Sequence, residues 1–202
     1  MMKRMAAHPS KLGDVKRQAS AATVIAETRD WIEKAVIGLN LCPFARAVYV
    51  NDRIRYCVSE ARSEDALLAD LSRELRTLHG ADPQTCETVL LIHPRALTDF
   101  LDFNDFLGKA EATVEALGFT GELQIASFHP RYQFAGSGPG DIENYTNRSP
   151  YPMLHLLRES SVERAAAATP DITAIPARNM ETLRRLGFEG WRRLWLAESG
   201  ED

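Results

Sequence analysis

The sequence predicts an α/β fold, on three observations. Three short runs carry strand patterning, one amphipathic helical stretch separates each run from the next, and the last two runs end in the same tripeptide, His-Pro-Arg. Strands that alternate with single helices build βαβ units, whose strands lie parallel in one sheet. The expectation is a small three-stranded, mainly parallel sheet in the order β-α-β-α-β, preceded by one helix and followed by about three C-terminal helices.

The leading helix is TVIAETRDWIEKAVIGLNL, where Val24, Ile25, Thr28, Trp31, Ile32, Ala35, Val36 and Leu39 recur at helical spacing. It should end near Gly38 and Asn40, after which Pro43 fits the first position of a new helical turn capped by Cys42. RIRYCVS alternates Ile54, Tyr56 and Val58 with Arg53, Arg55 and Cys57, the period of a strand with one buried face. Ser63 then caps a helix with Glu64 and Asp65 in its first turn and Leu67, Leu68, Leu71, Leu75 and Leu78 on one face, closed by Gly80.

The second strand, TVLLIHP, is a continuous apolar run from Val89 to Ile92, as expected where both faces are covered. A helix from about Asp99 to Leu117 follows, stopped by Gly118, and ELQIASFHP is the third strand. Residues 131–148 show no regular pattern, and a loop of that length in a compact domain commonly carries function. Ser149-Pro150 offers a cap and a proline at the first helical position. The remainder reads as helices at 150–160, 162–168 and 176–186, with Trp191 and Trp195 in a closing segment.

Length and charge bound the function. A chain of 202 residues suits one domain, placed at 21–196 between a basic tail at 1–20 and an acidic one at 197–202. The net charge of −4 leaves no basic field for general nucleic-acid binding. No apolar stretch approaches the roughly 20 residues of a membrane span. Cys42, Cys57 and Cys86 are odd in number and lack a CxxC pair, which fits reduced thiols in the cytoplasm.

With all three strands parallel, His93 of IHPR, His129 of FHPR and Glu60 after the first strand emerge together at the carboxyl edge of the sheet. Ligands of open α/β sheets bind at that edge, where loops and helix amino termini converge. The 131–148 loop leaves from the same edge and can fold back over it, carrying Arg131, Asn144, Asn147 and Arg148 as substrate-binding candidates. His155 and Glu159 would share a face of the next helix. Cys42, at the start of a helical turn near Arg46, is a candidate nucleophile or metal ligand, and equally a small buried hydrophobe. The glycines of FAGSGPGD suggest a phosphate cradle but match no nucleotide-binding motif.

The strings GLNLCPFA, FHPRYQFAG and NRSPYPMLHLLRE resemble those of a bacterial family of small soluble proteins catalogued as a domain of unknown function. The resemblance runs from the leading helix to Gly187. It implies a soluble bacterial single-domain protein and supplies no catalytic roles.

Three functions follow as expectations. The first is a small metal-dependent enzyme acting on an anionic substrate, a carboxylate or phosphate. His93, His129 and Glu60 would be the donor set for iron, or His93, His129 and His155 with Cys42 the set for zinc. In that reading the arginines fork onto the substrate anion. The second is a metal-free transferase or hydrolase with Cys42 or a histidine as nucleophile or base. The third is a non-catalytic module that binds a small anion or a partner protein.

Overall fold

A computed structural model describes residues 19–167 and 172–196; the expected tails fall largely outside them. The leading helix is α1, Ala21–Trp31, whose cap Ser20 accepts a hydrogen bond from the Thr23 N–H. It buries Val24, Thr28 and Trp31, and the Thr28 hydroxyl donates to the Val24 carbonyl at 2.7 Å. Over Ile32–Ile37 the helix widens into a π-helical stretch that ends at Gly38. A Cβ at Gly38 would overlap the Lys34 carbonyl oxygen, so glycine is required there. A short helix, α2, covers Ala45–Val50.

The next elements follow the sequence pattern closely. They are β1 at Ile54–Val58, α3 at Glu64–Gly80, β2 at Thr88–Ile92, α4 at Phe100–Ala116 and β3 at Leu123–Phe128. Ser63 and Asp99 cap α3 and α4 by accepting from the N–H groups of Ala66 and Leu101. One 3₁₀ turn, Ile142–Thr146, lies within the long loop.

The expected helix at 150–160 is instead a strand, β4, Met153–Arg158, and the sheet has four strands of mixed direction in the order β1-β2-β4-β3. β1 and β2 are parallel, while β4 lies antiparallel between β2 and β3. The physical reason is burial on both faces. Leu154 and Leu156 enter the core under α3 and α4, whereas Met153 enters the core under α1. A central strand of this kind shows a near-continuous apolar run, which also passes for a buried helix. After β4 come α5 at Glu159–Ala167, a 3₁₀ turn at Ile172–Ala174 and α6 at Ile175–Arg193.

Two cores flank the sheet. Leu67, Leu71, Leu75, Phe103, Phe106 and Leu154 fill one side, and Val24, Trp31, Ile92, Tyr151 and Met153 the other. Every residue of β2 is buried, alternately against each core. Because β2 and β3 are each antiparallel to β4, they point the same way. His93 and His129 therefore do share the carboxyl edge, with the start of β4 between them: the His93 N–H donates to the Pro152 carbonyl and the His129 N–H to the Asn147 carbonyl.

Candidate functional site

At the sheet edge the two His-Pro-Arg segments are used alike. Each histidine turns inward and each arginine reaches outward. His93 is fully buried beside Phe103 at 5.7 Å between ring centroids, and its Nδ1 donates to the Ala96 carbonyl at 3.0 Å. His129, also buried, packs against the same ring at 5.1 Å. Its Nδ1 accepts the Arg131 N–H at 3.0 Å, which makes Nε2 the donor to the Leu97 carbonyl at 3.2 Å. The two imidazoles thus hold adjacent carbonyls of one loop, and Leu97 adopts a left-handed φ of 51° within it. Burial pushes both rings down to about 4, so both are neutral at pH 7.

The arginines of the two segments are held by neighbouring acids. Arg95 pairs with Glu60, and Arg131 with Asp99 at 3.1 Å and with the Thr98 carbonyl at 2.6 Å. Glu60 therefore faces a guanidinium, not the imidazoles. His155 is not on a helix at this edge. It sits inside β4, opposite Leu90 and Ala126, on the face packed by Phe128, with Nε2 2.7 Å from the Thr88 hydroxyl. Burial pushes this ring down to about 4 as well.

These placements test a metal site directly. His129 has both nitrogens engaged and His93 has one engaged. His93 Nε2 is buried without a hydrogen-bond partner among the described residues. One lone pair is not a ligand set, and among the described residues no three of the histidines, cysteines and acids converge to hold a metal ion. The residues at the edge do not fit iron or zinc.

The loop residues are committed internally. Asn144 is buried; its Oδ1 accepts from the Phe134 N–H and the Ser137 hydroxyl, and its Nδ2 donates to the Gly138 carbonyl at 2.7 Å. Arg148 donates to the carbonyls of Tyr132 and Pro139 and lies 4.5 Å over the Tyr145 ring. Asn147 donates to the Ser127 carbonyl at 3.2 Å. All four residues expected to grip a substrate tie the loop together, tie it to the sheet or, for Arg131, tie it to the start of α4.

A different region forms an open cleft lined by both polar and apolar groups. The π-helical stretch delivers the chain into Leu39, Asn40 and Pro43, which form one wall of a cleft of about 460 Å³. Asn40 has a left-handed φ of 53°. π-Helical turns and left-handed non-glycine residues are costly and concentrate at functional sites. The opposite wall is the first half of α6, where Arg178, Glu181, Thr182 and Arg185 line the cleft at helical spacing. Asn179, one residue round the helix, is buried and donates to the Leu41 carbonyl at 2.8 Å, which joins the two walls.

Of the sequence-predicted residues only Cys42 lies next to this cleft, between Leu41 and Pro43. Burial pushes its thiol up, opposed by hydrogen bonds from the backbone at Phe44 and Ala45, so the thiol is protonated at neutral pH. The sequence pattern does place a helix at 176–186, but its arginines alone gave no signal of what they face.

A family model described as Protein of unknown function (DUF1415) matches residues 23–193, and the chain belongs to that family. No curated protein and no solved structure matches it. No helix among the described residues is long and apolar enough to cross a membrane.

Proposed function

We propose that this protein binds a small anion, a carboxylate or phosphate compound, in the cleft between residues 39–43 and α6. The observation that carries the reading is the pair of exposed arginines, Arg178 and Arg185, on the cleft-lining face of one helix. A guanidinium offers a planar fork of donors that matches a carboxylate or phosphate. The volume lies in the range of small-molecule pockets, roughly 300–1,000 Å³. The apolar lining groups, Leu39 and Pro43 on one wall and Ile175 on the other, suit the carbon skeleton of such a ligand.

Two observations favour binding over the enzyme readings. The sheet-edge imidazoles are neutral, buried and already hydrogen-bonded. The Cys42 thiol is held in its protonated, weakly nucleophilic form. Calorimetric titration with inorganic phosphate and with glutarate, at low and at physiological salt, tests the proposal. Binding by the intact chain should weaken with salt and drop at least about tenfold in the Arg178→Ala, Arg185→Ala double variant, since charge-assisted contacts contribute roughly 1.5–3 kcal/mol each. Equal binding by the double variant would overturn it.

A further inference from the structure

We infer that the cleft selects a ligand in which two carboxylates flank an ammonium group, the charge pattern of an acidic α-amino acid or a short acidic peptide. The inference rests on the anion-binding reading and narrows it. Along the cleft-lining face of α6 the charged residues come in the order Arg178, Glu181, Arg185: a cation, an anion and a cation. At a rise of about 1.5 Å per residue the two arginines start roughly 10 Å apart along the axis, with Glu181 between them. That separation leaves each guanidinium free to take its own carboxylate. A short diacid can engage both, since each long arginine side chain can swing toward its own carboxylate.

Glu181 makes the middle of that interval hostile to a plain dianion and favourable to a cation. It is not consumed by its neighbour. The contact between Glu181 and Arg185 is 3.8 Å, longer than a hydrogen bond, and both side chains are exposed, at 60% and 72%. An exposed pair of this kind contributes little and rearranges readily. Thr182, next to Glu181 on the same wall, adds a hydroxyl able to accept from the ammonium. The complement of the wall is therefore minus, plus, minus.

The test compares L-glutamate with glutarate, the same five-carbon diacid without the amino group, by calorimetric titration of the full chain and of Glu181→Gln. The intact protein should bind L-glutamate about two- to fivefold more tightly than glutarate, the effect of one added, exposed ammonium–carboxylate pair. In Glu181→Gln the preference should vanish, because glutamate weakens while glutarate tightens once the repelling carboxylate is gone. Equal affinities in the intact protein, or a preference that survives in Glu181→Gln, would overturn the inference. Glutarate binding without any preference sinks the ammonium selection and leaves the anion site standing. Absence of binding by both sinks the two together. Far-UV circular dichroism of Glu181→Gln, an exposed helical position, checks that the fold is kept.

Discussion

The sheet edge and the cleft differ in what their polar groups still have to give. The edge holds the residue types associated with chemistry, two histidines, two arginines and two carboxylates, yet nearly every donor and acceptor there is matched within the protein. The cleft holds fewer such residues, but its arginines stand exposed on a wall facing open volume. Residue type alone points to the edge, and the accounting of hydrogen bonds points to the cleft. The edge is where stability is concentrated, and the cleft is where ligand affinity should be.

Substitutions at the edge should therefore cost folding energy and leave anion binding in place. His129→Ala removes a ring that satisfies the Arg131 N–H and the Leu97 carbonyl and packs on Phe103, and a loss of about 3 kcal/mol is expected in urea denaturation. A loss under about 0.5 kcal/mol would mean that these bonds are replaced by water and that the edge is open.

Acid should act on the edge as well. The folded values of His93 and His129 lie near 4, below the ordinary 6.5, so the unfolded chain binds more protons between those limits. Stability is then complete above about pH 6.5 and falls as the pH drops toward 4, by about 2 kcal/mol per ring between pH 7.5 and 5. The urea midpoint measured across that range should fall, and the slope should flatten in His129→Ala. A midpoint independent of pH would place the rings in water.

The loop gives a middle case. Asn144→Ala strands the Phe134 N–H and the Gly138 carbonyl and should cost about 2 kcal/mol, with faster proteolysis within residues 131–148. If it abolished glutarate binding while stability held, the loop and not the cleft would be the ligand clamp. The smallest effect on stability is expected at Arg185→Ala, within about 0.5 kcal/mol, since the residue is exposed and only loosely paired.

Much of the fold was legible in the sequence. β1, α3, β2, α4 and β3, with the Ser63 cap of α3, follow from the sequence pattern within about a residue or two at each end. β4 was not legible, because Met153 faces one core and Leu154 and Leu156 the other, and the alternation that marks a one-sided strand is lost. As part of that strand His155 lies within the sheet, opposite Leu90 and Ala126, and not on a helix at the edge. The common edge of His93 and His129 survived that reassignment, since an inserted antiparallel strand leaves β2 and β3 pointing the same way.

The cleft was hidden for another reason. Its walls come from opposite ends of the chain, joined where Asn179 meets Leu41 across 138 residues, and neither wall carries a motif of its own. The GLNLCP string marks one wall only in hindsight, through the π-helical turn and the left-handed Asn40 that no local pattern announces.

The most direct measurement is a two-dimensional amide NMR titration with glutarate, because it reads both regions in one experiment. The expected result is a set of saturable shifts centred on residues 39–45 and 175–186, with residues 93–99 and 129–138 unmoved. Saturable shifts centred on His93, His129 and the 131–148 loop, with α6 silent, would contradict the assignment of the ligand site to the cleft and return it to the sheet edge.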